Sequence, residues 1–391
     1  MSRGTFKDLR DLREHLANLR AVTVAELTQI PRGRLNDIEE GAPPSILEIE
    51  RLAAVYGIDA DALWDEPIHL GDADAIGVLT SQDEFRQVSD MTRAKMLRAA
   101  SAARDLVTLH QLVGDGIEPV PKLPAFNPIL TPYQQGAELA HSLRRSLGLG
   151  VAPIPSLRDL VAQKLPSIAV LYSDLDRHGP AGLGFADATR GPAVVLNLRG
   201  KNENAAVRRF SLAHELCHLL ADWNQTDPLA SISGYVSDTD LAREQRANGF
   251  AVRLICPETV VQRLKNHHED DAASILIEEY KLHYQAARLY LRNEASIHLP
   301  KEPPPSLRSL VSPDPALERD EKPRGIEDFP LTEVPFERRG VVAETAIRAW
   351  SRGLLARDAC SRFLGVTPGS EIERVADYFG EDLPPEQALT G

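Results

Sequence analysis

Residues 211–222 read SLAHELCHLLAD, and the fold turns on that stretch. His214 and His218 stand four apart, with Glu215 directly after the first. Leu212, Leu216 and Leu219 recur at i, i+4, i+7, which predicts a helix with one face in a core. Four residues on a 3.6-residue turn leave the imidazoles about 40° out of line, so both can converge on one point. A zinc ion fits such a point at about 2.0–2.1 Å from each ring nitrogen. Glu215 lies about 100° round the helix from His214, poorly placed as a ligand and well placed to take a proton from an activated water. The plain alternative is an amphipathic helix carrying two partly exposed histidines. The specificity of His-Glu-x-x-His ranks that alternative second.

A catalytic zinc needs a third protein ligand and an open position. Downstream, 243–257 read REQRANGFAVRLICP. Glu244 and Asn248 share a face, while Ala247, Phe250, Ala251 and Leu254 supply an apolar stripe. Glu244 is the natural third ligand, and Asn248 can orient a histidine through its free ring nitrogen. Cys256-Pro257 ends the helix.

The whole chain frames this motif. A length of 391 residues predicts two to three domains, and 43% apolar with 26% charged residues fits a soluble globular protein. No apolar run approaches the roughly 20 residues that cross a bilayer, and the N-terminal MSRGTFKDLRDLREHL has no signal-like core. Three widely spaced cysteines argue for a reducing, cytoplasmic setting. A net charge of −13 means that nucleic-acid binding needs a local basic face.

Proline-rich stretches at 114–132 and 301–325 divide the chain as extended linkers or surface wraps. The expected class is α+β, mostly helical. Residues 1–70 form a helix-turn-helix bundle and 71–130 a helical connector with linker. Residues 131–300 form a zincin-like domain with a small sheet, 301–336 a second linker, and 337–391 a C-terminal helical domain. Residues 5–66 read as all-helical, 84–113 as one long helix or a bent pair, and 271–293 as one helix. Thr131-Pro132 starts a helix, and Ser45 is an N-cap. SIAVLYS (167–173) and AVVLNL (193–198) read as strands. The second is expected to offer an edge to which an extended substrate adds. Trp350, Leu354, Leu355, Phe363 and Leu364 are expected in the C-terminal core.

RRFSLAHELCHLL (208–220) and EQRANGFAVRLICP (244–257), at this spacing, resemble the ImmA/IrrE family of bacterial metallopeptidases. The resemblance covers about 135–294. It implies zinc held by His214, His218 and Glu244, with Glu215 as general acid or base. It also implies a substrate among lambda-repressor-like helix-turn-helix repressors, cleaved to relieve repression under stress or mobile-element induction. Cys217 replaces the family's usual glycine, and its place on the helix predicts a small packed residue rather than a regulatory thiolate. Tyr235, His283 and Tyr284 are oxyanion-donor candidates by chain proximity only.

Residues 8–66 resemble the Xre-like helix-turn-helix class of those same targets, best over RLNDIEEGAPPSILEIERLAAVYGIDADALW (34–64). In that class Arg32, Arg34 and Asn36 would face DNA. Two features oppose this. Residues 1–66 hold 8 Arg/Lys against 13 Asp/Glu. The second-to-third helix segment also looks about three residues short, with Val24 where the class has a DNA-contacting glutamine. DNA binding and a relic serving dimerisation or docking therefore stay equal, and a homodimer fits either. Two rivals to the peptidase remain: a DNA-binding regulator, or an antitoxin-like binding protein, each with a structural or vestigial metal site.

Overall fold

The computed structural model describes residues 5–64, 67–69, 74–115, 119–187, 190–234 and 242–383. At the N-terminus, a helical turn Leu9–Asp11 continues as the π-helical segment Leu12–Ala17. Helices α1 (Ala21–Thr28), α2 (Arg32–Glu39) and α3 (Ile46–Tyr56) follow. Gln29 takes the left-handed conformation at the end of α1, and Pro31 precedes α2. This compact turn is a complete helix-turn-helix connection, which corrects the expected three-residue deficit. Val24 is fully buried, so it faces the core and not DNA. Ser45 and Glu48 close a capping box at the start of α3. The stretch is not wholly helical: β1 (Thr5–Phe6) pairs antiparallel with β2 (Ile68–His69). Two-residue strands are too short to leave a periodic signature.

The connector contributes α4 (Ala75–Ser81), a short helix Asp83–Gln87 and the long α5 (Asp90–Val113). Ser89 caps α5 and breaks the 84–113 stretch into a pair.

A four-stranded sheet lies at the centre, built from β3 (Ala169–Ser173), β4 (Gly182–Ala186), β5 (Ala193–Asn197) and β6 (Leu229–Ser233). Its order is β3-β5-β4-β6, with β5 parallel to β3 and the other pairs antiparallel. AVVLNL is therefore an interior strand, paired on both sides, and the expected free edge does not exist there. The free edges belong to β3 and β6. GLGFA (β4) and LASIS (β6) are short and alternate apolar residues with glycine or serine, which read equally well as loop.

Strand alternation splits the molecule into two cores. Val194 and Leu196 of β5 join the core of the central helices, with Leu212 and Phe250. Val195, with Leu183, Phe185 and Ile232, joins a second core. That core also takes in Leu35 and Leu52 of the helix-turn-helix unit, Leu97 of α5, and Trp350 and Leu364 of the C-terminal helices. The helix-turn-helix unit and the C-terminal bundle are thus packed on one face of the sheet. Leu354, expected in the C-terminal core, is 44% exposed.

The opposite face carries α6 (Pro132–Ser146), α7 (Ala205–Cys217) and α8 (Ala242–Ile255). Thr131 caps α6 in a capping box with Gln134. Where α6 meets α8, a Cβ on Gly136 would lie 1.9 Å from the Arg246 carbonyl, and one on Gly249 2.2 Å from that of Tyr133. The two glycines let the helices touch backbone to backbone, which fixes α8 beside α7. The expected helix 271–293 is two, Glu269–Glu278 and Tyr284–Ala295, broken where Lys281 takes a positive φ of 58°. The proline-rich 301–325 wraps the outer end of this layer. Glu318 accepts the Ala205 amide at the start of α7 (2.6 Å), and Glu321 accepts the Leu157 amide (2.6 Å).

Candidate metal centre

Helix α7 runs under the sheet with Leu212, Ala213 and Leu216 in the core. Burying that stripe turns His214 toward α8. Asn204 caps the first turn of α7, and after Cys217 the helix widens into a π-helical turn, His218–Asp222. The widening is marked by the Trp223 amide donating to the His218 carbonyl (3.0 Å). Such π-turns concentrate at functional sites because they re-aim side chains without ending the helix.

Three sequence-chosen residues come together. His214 Nε2 lies 3.0 Å from Glu244 Oε2 and 3.2 Å from His218 Nε2. His218 Nε2 lies 3.4 Å from Glu244 Oε1. Ligands at about 2.0–2.1 Å on a tetrahedral ion are separated by ~3.3 Å; the two ring nitrogens stand near that spacing, and each faces its own oxygen of the Glu244 carboxylate. The exposures of His214, His218 and Glu244 are 7%, 1% and 3%. Among the described residues this is the group whose ligand atoms converge as a metal site requires. A cation is the natural partner for two nitrogen lone pairs and a carboxylate buried nose to nose.

The far sides of both rings are held. His214 Nδ1 meets Asn248 Oδ1 at 3.2 Å, the placement the sequence suggested. His218 Nδ1 meets Asp222 Oδ2 at 2.7 Å. Asp222 pairs in turn with Arg246, which stacks over Phe126 at 4.3 Å from the ring centroid. Sequence reasoning missed Asp222, although it stands four residues after His218 on the same helix. A carboxylate behind a ligating histidine fixes its tautomer and raises its basicity. Burial lowers the His218 pKa, yet the Asp222 hydrogen bond and the charges of Glu215, Glu244 and Asp222 outweigh it, and the net shift is upward. Burial likewise raises the Glu244 pKa, but the neighbouring histidines and Arg243 bring it below the usual carboxylate value.

Glu215 is fully buried, with its carboxylate against the sheet. Ser231 Oγ donates to its Oε2 (2.8 Å), and Ser233 Oγ donates to its Oε1. Both serines lie on β6, two residues apart and so on one face. Across the register, Gly184 pairs with Ser231 and Gly182 with Ser233. A Cβ on either glycine would come within 2.9–3.2 Å of a Glu215 oxygen. Two glycines make the room, and two serines make the bonds. None of the four carries a sequence signal, because strand pairing alone assembles them.

The remaining candidates separate. Tyr284 donates to the Pro300 carbonyl (2.8 Å), and His283 caps its helix while packing edge-on against Phe210. Neither is bonded to the triad. Tyr235 lies outside the described residues. Cys217 is fully buried in the core, and burial pushes its thiol far up, as expected of a packing residue. In the helix-turn-helix unit Arg32 and Asn36 are exposed. Arg34 is committed to Glu48 through two bonds of 2.8 Å.

Fold and centre together define a class: a helix-turn-helix regulator module joined to a metallopeptidase-like domain. Sequence comparison agrees. Residues 164–292 match the family described as IrrE N-terminal-like domain, and residues 9–63 match the helix-turn-helix family. The chain thus fuses an Xre-like helix-turn-helix domain to an IrrE/ImmA-like peptidase domain. No curated protein and no solved structure matches it. Among the described residues no helix is long and apolar enough to cross a membrane.

Proposed function

We propose that this protein is a zinc-dependent endopeptidase that cleaves a helix-turn-helix transcriptional repressor and so relieves repression. The observation that carries the reading is the triangle of His214, His218 and Glu244, with ligand atoms within 4.8 Å of one another. These three would hold the zinc, whose Lewis acidity supplies water ionised near neutral pH. Asn248 and Asp222 keep the ring nitrogens aimed inward. Glu215 takes the proton of the attacking water and returns it to the leaving amine. Ser231 and Ser233 hold its carboxylate in one orientation meanwhile, and each oxygen keeps a further lone pair for the exchange. The repressor substrate and the stress setting come from the family resemblance, and the cytoplasmic location from the three widely spaced cysteines.

Glu215→Gln tests this directly. It keeps size and one acceptor and removes the proton carrier. The zinc-loaded variant should keep its metal and lose repressor cleavage by about 10²–10⁴-fold, read as fragments on a gel.

One observation favours a second reading, a DNA-binding regulator with a structural metal. Glu215 is sealed from solvent, as a structural site tolerates. In that case Glu215→Gln leaves function intact. The DNA contacts would then fall to Arg32 and Asn36, the two exposed members of the proposed trio. An antitoxin-like binder is recognised instead by a stable repressor complex without fragments.

A further inference from the structure

We propose that the connector closes the peptide-docking edge of β6, with Gln82 holding the place of a substrate main-chain N–H. The inference rests on the peptidase reading and adds a regulation to it. The Asn197 amide donates to the Ala181 carbonyl (3.0 Å) at the lower end of β4. Alternation then directs the main-chain groups of Leu183 and Phe185 to β5 and those of Gly182, Gly184 and Ala186 to β6. With Gly184 opposite Ser231, the groups of Leu229, Ser231 and Ser233 are spent on β4. Those of Ala230 and Ile232 face the free edge. This is the strand whose Ser231 and Ser233 grip Glu215.

The edge is covered. Ile76 and Leu79 of α4 share a core with Ala230 and Ile232. Gln82, at the joint after α4, donates its side-chain amide to the Ala230 carbonyl (2.9 Å). Its own Oε1 is buried without a hydrogen-bond partner among the described residues. An incoming peptide would give an N–H to Ala230 and also accept from Ile232, two bonds where Gln82 makes one. The strap is tied at its other end to the helix-turn-helix unit. The Ala75 amide donates to Asp187 (2.9 Å), and Arg190 bonds Asp74 (2.8 Å) and the Gly57 carbonyl at the end of α3 (2.8 Å). Displacing the helix-turn-helix unit therefore pulls on the segment that closes the edge.

The test uses the full-length zinc-loaded chain and fluorescein-labelled unfolded casein. In a Glu215→Gln background, which blocks turnover, Gln82→Ala and Gln82→Glu should each tighten casein binding about tenfold by anisotropy. They should also speed amide exchange at Ala230 and Ile232, but not in β5. Unchanged binding, or unchanged exchange at β6, in both variants overturns the strap. The peptidase reading is judged separately, with the edge opened by Gln82→Ala: equal casein cleavage with Glu215 and with Glu215→Gln in that background sinks that reading, whatever the binding and exchange results say of the strap.

Discussion

In the helix-turn-helix unit, Arg34 turns from α2 onto Glu48 at the start of α3, and Arg13 turns onto Glu39 at 2.6 Å. In the metal centre, His214, His218 and Glu244 turn from α7 and α8 toward one another, and their supporting partners, Asn248 and Asp222, stand behind. The first region spends its charges on itself. The second gathers lone pairs at one point and leaves them facing each other. Buried acceptors that converge need a cation, whereas arginines already paired with carboxylates have little left for a phosphate. The difference separates a site whose ligand atoms converge from a unit in which Arg34 is held by Glu48 and only Arg32 and Asn36 of the trio stay exposed.

Five substitutions test that contrast. The largest effect belongs to Glu244→Ala, which removes one vertex of the triangle. Zinc retained after dialysis should drop from about one equivalent to about a tenth or less by metal analysis. Retention of a full equivalent would mean that the triangle is not the metal site.

A half-buried histidine outside the centre provides the next comparison. Burial, helped by Lys201, pushes the His283 pKa down to about 4 from 6.5, while the carboxylates around His218 push that residue the other way. Neutral His283 also accepts the Ala286 amide as a helix cap. Between pH 6.5 and 4 the unfolded state binds a proton there that the folded state refuses, so stability falls as pH drops through that window. The loss should total about 3 kcal/mol. His283→Asn keeps a capping acceptor and should erase that part of the slope in denaturant titrations at pH 7 and pH 4.5. An identical slope in parent and variant would remove His283 from the account.

Asp222→Asn should weaken zinc binding about 10–100-fold by competition with a chelator, because the carboxylate that orients His218 is lost while the triangle remains. No change in affinity would make Asp222 a surface partner of Arg246 alone. The smallest effect tests the other region. Arg32→Ala should lower affinity for duplex DNA roughly fivefold at low salt, and Arg34→Ala less than about twofold. Equal losses would show that the Arg34–Glu48 pair opens on DNA.

Much of this was legible beforehand, for one reason. The spacing of His214 and His218 and of Glu244 and Asn248 is set within single helices, where 3.6 residues per turn fixes which side chains share a face. The Thr131 and Ser45 caps were readable on the same local ground. A strand is legible where the apolar run is continuous, as in β5, and not in β4 and β6, whose small residues look like loop. The 271–293 stretch is two helices and not one because Lys281 takes a left-handed turn that nothing in the local pattern marks.

By itself the sequence determined which residues could form a metal triangle and that a helix-turn-helix unit precedes it. Only the tertiary structure decided that β5 is interior and that β6 is the edge beside Glu215. It alone placed two glycines and two serines around that carboxylate and laid the connector over the edge. The physical reason is range. Helical facing is settled within a few residues, whereas strand order and the Gln82–Ala230 contact join segments far apart in the chain, by pairing and packing that no local pattern encodes.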